Sequence, residues 1–159
     1  PDFSVLTSGE HPILEFLSIH ENNEFSISDV RLTAYPVNHN VNAVGYILRD
    51  DEGAVLFTGD SGPTQVIWEK GRDCADLHTI ITEVSFPNRL QDVADASMHL
   101  TPRTLKAEIK KMPPNVPIYL FHVKPHCRNE INEEVQALCE PRLQWLVQGK
   151  SYEFRKEGR

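Results

Sequence analysis

Gly53-Ala54-Val55-Leu56-Phe57 runs straight into Thr58-Gly59-Asp60-Ser61-Gly62, and this passage sets the reading of the chain. The first five residues form a short apolar run bounded by turn signals, the pattern of a buried strand. Gly59 stops the run, and Asp60 stands at its tip. Gly62-Pro63 then turns the chain into a short helical segment from Thr64 to Lys70. A carboxylate at the C-terminal end of a strand, in a loop before a helix, sits where α/β proteins place their chemistry. Three other such points carry histidines: His39, His99 and His122. We read the four residues as one site. Imidazole and carboxylate are ligands that zinc, iron and manganese accept, so the site is read as metal-dependent.

Outward from this passage, the pattern alternates between strands and helices. Residues 1–12 read as loop and Ile13 to Ile19 as a strand. Glu21 to Glu24 is a turn signal, followed by a short extended piece from Phe25 to Ser28. Val30 to Val37 alternates apolar and polar positions, as a half-buried strand does. Ala43 to Leu48 and Ala54 to Phe57 read as a hairpin turning at Asp50-Asp51-Glu52-Gly53. Leu77 to Val84 is a long β-branched run, hence a buried strand. Arg89 to Ser97 is helical. Thr101-Pro102 starts a helix with a capping Thr and a Pro in its first turn. Pro117 to Val123 is a further buried strand with His122 at its end. Asn129 to Cys139 is a helix capped by Asn129, and Trp145 to Val147 with Tyr152 to Phe154 is a terminal strand pair. Strands come first and β and α units then alternate, which predicts an α/β layered fold with a mixed sheet and flanking helices.

The 159 residues suit one domain or part of one. A hydrophobic content of 40% with 25% charged residues describes a folding chain. The net charge of −7 disfavours nucleic acid or an anionic membrane as partner, since both call for a basic face. Arg31 is the only Lys or Arg before Arg49, so the first third has no phosphate-gripping arm. No apolar run approaches the roughly 18 residues that suggest a membrane span. Cys74, Cys127 and Cys139 show no paired-ligand spacing and read as reduced structural thiols. The compartment expected is the cytoplasm, with a periplasmic or secreted protein left open.

Among the seven histidines, His11, His20, His78 and His126 lie in polar, strand-end or loop settings and read as incidental. His39 and His122 end strands, as Asp60 does. No pair of these shares a helix at metal-ligand spacing, so hydrogen-bonded strand ends are the plainer alternative. Glu83 and His99 form a second pair, in which a carboxylate at a strand end would orient an imidazole that transfers a proton. A turn-capping Glu83 and a satisfied loop His99 are the alternative there. Lys124 and Ser85 are the candidates for substrate contact, Lys124 because it is the only cation in these strand-end loops. Ser61 has no neighbouring base in the sequence and reads as a turn residue.

Five segments in order carry a resemblance: Asn38-His39-Asn40-Val41-Asn42-Ala43-Val44-Gly45-Tyr46, Phe57-Thr58-Gly59-Asp60-Ser61, Glu83-Val84-Ser85-Phe86-Pro87-Asn88, His99-Leu100-Thr101-Pro102 and Phe121-His122-Val123-Lys124-Pro125. Together they resemble the metallo-β-lactamase fold, and within it the class II 3′,5′-cyclic-nucleotide phosphodiesterases, with ribonuclease Z as a relative. The resemblance implies half of a four-layer αββα sandwich. It implies two divalent metal ions, zinc first, with manganese or iron as alternatives. His39 would ligate one ion, Asp60 would bridge both, and His122 would ligate the second. His99, oriented by Glu83, would stand beside the substrate phosphate. The implied reaction opens a 3′,5′-cyclic nucleotide to the 5′-nucleotide through a hydroxide that bridges the metals. The fold's His-x-His-x-Asp-His motif does not occur in this chain. The chain is therefore expected to be the C-terminal half of a protein and inactive alone, with the N-terminal half of the same fold as its partner and a homodimer left open. Two alternatives stand beside this: a ribonuclease Z-like enzyme acting on tRNA 3′ ends, and a non-catalytic half-module docking on a partner.

Overall fold

The computed structural model describes residues 18–155 together with Thr7, Ser8, His11, Pro12 and Leu14. Two short strands, β1 (Thr7–Ser8) and β2 (His11–Pro12), pair antiparallel where the sequence reads as loop. The strand expected over Ile13 to Ile19 falls largely outside the described residues. Leu14, Ser18 and Ile19 are in no strand.

The main sheet begins with β3 (Glu24–Ile27), β4 (Val30–Val37), β5 (Ala43–Asp50) and β6 (Gly53–Phe57), each antiparallel to the next. The β5–β6 turn is closed by Asp50, whose carboxylate accepts the Glu52 amide at 2.8 Å. Helix α1 (Val66–Asp73) then carries the chain across to β7 (Leu77–Glu83), which lies parallel to β6. Helices α2 (Gln91–Ser97) and α3 (Pro102–Ile109) lead to β8 (Ile118–Phe121), and α4 (Arg128–Gln136) leads to β9 (Leu143–Trp145). The seven strands stand in sequence order, antiparallel up to β6 and parallel from β6 to β9. This is the mixed α/β sheet with flanking helices that the residue pattern predicts.

Strand register separates two faces. Ile47, Leu56, Ile80 and Ile118 lie side by side across four strands and are buried in one cluster with Trp68, Leu105 and Ile131 of the helices. The alternate residues Tyr46, Phe57, Ile81 and Tyr119 face the other way and are only half-buried. Helix α3 starts as the sequence implies: the Thr101 side chain accepts the Thr104 amide, and Thr104 returns a bond to the Thr101 amide. Two local expectations fail. Helix α4 is preceded by a tight turn at Pro125–Cys127, so Cys127 occupies the cap position and Asn129 lies inside the helix. The segment Tyr152 to Phe154 forms no strand. The Tyr152 hydroxyl donates to the Trp145 carbonyl and accepts the Val147 amide, and its ring stacks on Phe154 beside Tyr119, so aromatic packing replaces a ladder.

Helix α1 packs closely on β5 at Gly45. A Cβ there would overlap Ile67 Cδ1 and lie 2.8 Å from the Phe57 carbonyl oxygen. We expect Gly45→Ala to destabilise the protein by about 1–3 kcal/mol, as overpacking in a filled core does, measured by urea unfolding. Arg49 on β5 grips Asp76 with two bonds of 2.8 and 2.9 Å, just before β7. This pairing lowers the Asp76 carboxyl to about 2. The lowered value means that the pair contributes fully above the unfolded carboxyl's pKa and is lost as pH falls from about 4 through 2. Asp76→Asn should therefore flatten the acid limb of the stability profile in that window and leave its neutral region nearly level.

Candidate metal and phosphate site

The C-terminal ends of the parallel strands bring the candidate residues together. Gly59 follows β6 with φ of 63°, a left-handed turn that glycine takes without a Cβ penalty. Asp60 is next, its side chain 43% exposed. Glu83 is the last residue of β7 and is fully buried. His122 follows β8 directly with φ of 64°, a conformation that side chains other than glycine rarely hold. His39 comes from the loop after β4, and His99 from the stretch between α2 and α3. The His99 ring lies 5.0 Å from that of His39 and 5.2 Å from that of His122, centroid to centroid.

Glu83 organises the cluster. Its Oε1 accepts the Ser61 amide at 2.7 Å and the His99 Nδ1 at 2.6 Å. Its Oε2 accepts the Ser85 hydroxyl at 2.7 Å and the Leu100 amide at 3.2 Å. A carboxylate offers about four lone-pair sites, and all four are taken. Glu83 is therefore an orienting group, although it lies within reach of a three-residue cluster with His99 and His122.

Each histidine is tied through Nδ1. That of His39 meets the Met98 carbonyl at 3.0 Å, and a carbonyl only accepts, so the proton is on Nδ1. The His99 Nδ1–H faces Glu83. The His122 Nδ1 lies 3.0 Å from the Ser85 hydroxyl and 3.1 Å from Asp60 Oδ1. This leaves the three Nε2 atoms as acceptors, the arrangement in which outer groups fix the tautomer of metal-binding imidazoles. Ligand atoms of His39, Asp60 and His99 lie within 4.8 Å of one another, so imidazole and carboxylate donors of the kind divalent cations take converge here, with the Glu83-held His99 beside them. Lys124 Nζ is 3.5 Å from His122 Nε2, which places its charge at the same mouth. Burial lowers the His122 pKa, assisted by Lys124 and opposed by Asp60.

The structure thus brings His39, Asp60, Glu83, His99, His122 and Lys124 to one place. It differs from the sequence reading in grouping. Among the described residues the convergent sets are His39 with Asp60 and His99, and Glu83 with His99 and His122, so His99 sits between the two groups of expected ligands. Ser85 is corrected more fully. It is completely buried and its hydroxyl links Glu83 to His122, which makes it a positioning residue and removes it from substrate contact. Sequence reasoning missed Asn38, whose carbonyl accepts the Gly62 amide at 2.8 Å and whose side chain donates to the Pro63 carbonyl at 3.1 Å. Its place beside His39 was the one available signal.

No protein-family model matches the chain, and no curated protein sequence matches it. Solved structures do. YhfI from Bacillus subtilis, a metallo-β-lactamase fold protein, superposes with a TM-score of 0.70 at 14% identity over 91% of this chain. The chain has the metallo-β-lactamase fold. It is also similar to a diphosphatase of the PhnP family (TM-score 0.58, 18% identity, 86% of this chain) and to human tRNase Z, short form (0.52, 16%, 66%). The chain spans 57%, 47% and 41% of those three structures.

The pairing at Glu83 makes a specific prediction. Glutamine there presents one acceptor and one NH2, yet both carboxylate oxygens face a backbone N–H that cannot turn away, from Ser61 on one side and Leu100 on the other. One of them must oppose the NH2. Glu83→Gln should cost about 1–3 kcal/mol in urea unfolding, the desolvation of one buried donor. Ser85→Ala should cost less, because the three remaining donors still fill Glu83.

Proposed function

We propose that this chain carries part of the active site of a metal-dependent phosphodiesterase that opens a 3′,5′-cyclic nucleotide. The observation that supports it most is the buried 2.6 Å contact of Glu83 with His99, set among His39, Asp60 and His122. An imidazole held by a carboxylate is suited to stabilise charge on a phosphoryl oxygen or to protonate a departing alkoxide. The five sequence segments that resemble cyclic-nucleotide phosphodiesterases converge on this contact.

In this reading His39, Asp60 and His122 would supply ligands to two divalent ions. Two ions call for more donors than these three residues supply, so the complete protein contributes further ligands. When bound, such ions activate water and neutralise charge on phosphoryl oxygens. Zinc, manganese and iron all suit the donors. His99 acts through Nε2 while Glu83 holds Nδ1–H, so the imidazole keeps one tautomer and one orientation. Protonation at Nε2 gives a cation that Glu83 stabilises. Lys124 draws the phosphate toward His122, and Ser85 keeps the His122 ring in place. The departing O3′ takes its proton from His99.

The likeness to human tRNase Z makes tRNA 3′ ends the second substrate class, and the half-buried sheet face allows a docking module as the third reading. No helix among the described residues is long and apolar enough to cross a membrane.

The test uses the chain extended N-terminally through the rest of the fold and purified with its own metal. We expect about two metal ions per chain, hydrolysis of cyclic AMP or cyclic GMP, and loss of activity on chelation. His99→Ala should lower kcat by about 10²–10⁴, the usual contribution of a general acid or base. Cleavage of a tRNA precursor with no action on cyclic nucleotides would move the assignment to RNA. A metal-free protein in which His99→Ala changes nothing would leave the docking module.

A further inference from the structure

Glu108 is a buried carboxylate that the reaction does not use. It lies on α3, is 1% exposed, and faces the loop that carries Asp60. Its Oε2 accepts the Thr64 amide at 3.0 Å and the Trp68 indole N–H at 2.7 Å. Its Oε1 pairs with Lys111 Nζ at 2.6 Å, and Lys111 also donates to the Thr64 carbonyl at 2.9 Å. Glu108 and Lys111 together therefore hold both backbone polar groups of Thr64. A well-packed apolar residue is often as stabilising as such a buried ion pair, so stability alone is a weak reason for it.

The neighbouring contacts supply another reason. From Ser61 to Thr64 the backbone of every residue is tied to another part of the fold. The Ser61 amide goes to Glu83 at the end of β7. Gly62 and Pro63 go to Asn38 beside His39, and Thr64 goes to Glu108 and Lys111. Ser61, Gly62 and Thr64 are buried, while the Asp60 side chain stays accessible at the mouth. Helix α3 begins three residues after His99, and Glu83 bonds both His99 and the Ser61 amide. The separation of Asp60 from His99 is thus set twice, at short range by Glu83 and from behind by Glu108.

We propose that Glu108 is a positioning residue that holds the Asp60 loop against the His99 side of the site, acting through Thr64 and α1. The positioning stands on the contacts above, and its consequence for the chemistry rests on the reading of Asp60 as a metal ligand. Glu108→Gln keeps the volume and one acceptor but sets an NH2 group against Lys111 or against the Thr64 and Trp68 donors. Slack introduced at Thr64 then reaches Gly62 and Ser61, and with them Asp60.

Residue-resolved amide hydrogen exchange on the chain tests the positioning. In Glu108→Gln the Ser61 and Gly62 amides should exchange at least about tenfold faster, while the Ile80 and Ile118 amides of the sheet core keep their rates. Lys111→Met leaves the buried carboxylate without its cation and removes the bond to the Thr64 carbonyl, so it should speed the same two amides as well. Unchanged rates at Ser61 and Gly62 overturn the proposal, because the effect then ends at α1. A rise shared equally with Ile80 and Ile118 also overturns it, because Glu108 then serves only general stability. Manganese binding, followed by electron paramagnetic resonance on the N-terminally extended protein, reads the consequence. Affinity should fall about tenfold in Glu108→Gln, and equal affinity in both proteins overturns the link to Asp60. A wild-type protein that takes up no manganese or zinc counts against the metal reading alone, since the exchange rates still decide the positioning.

Discussion

One buried carboxylate links the loops that make up most of the site. Glu83 ends β7, an interior parallel strand, and its four hydrogen bonds reach the loop after β6, the turn after its own strand, and both His99 and Leu100. Burial of such a group is unfavourable unless it is fully partnered, and here every lone pair is used. The two backbone donors cannot turn away, so a change at the acid itself costs more than the loss of one side-chain partner. The loops that would be mobile on an open sheet are fixed because each completes the solvation of one acid.

The sheet supplies the geometry that this acid needs. From β6 to β9 the strands run parallel, so their C-terminal ends stand in a row and place Asp60, Glu83 and His122 at one edge. Parallel order requires crossovers, and the helices that make them cover the face carrying Leu56, Ile80 and Ile118. Burial of that face secures the strands. The loops are then free to carry polar residues, since their own backbone groups find partners among one another.

Much of this was legible in the residues. The β4 pattern is readable end to end, because its alternation reflects two unlike faces. Asp60 could be placed from Gly59 and the apolar run before it. The positions of Glu83 and His99 suggest a pair, and the two meet. What the sequence concealed depends on contacts between distant residues. Ser85 looks like a loop serine, and only the approach of β7 to β8 buries it against His122. Glu108 reads as one polar residue of an amphipathic helix, because its partners Thr64 and Trp68 are 44 and 40 residues away. Asn129 looks like a cap because caps are judged locally, and the turn at Pro125–Cys127 sets the cap of α4 two residues earlier, at Cys127.

The backbone at His122 has a consequence for how this protein answers substitution. A side chain at φ of 64° is strained, by about 1–3 kcal/mol for a residue held in that region. Glycine there would relieve the strain and delete the imidazole in one step, while alanine would delete the imidazole and keep the strain. Two replacements that look alike as losses of a ring would differ in folding stability, with alanine the less stable of the two. At this position the chain keeps an imidazole where its own backbone favours glycine.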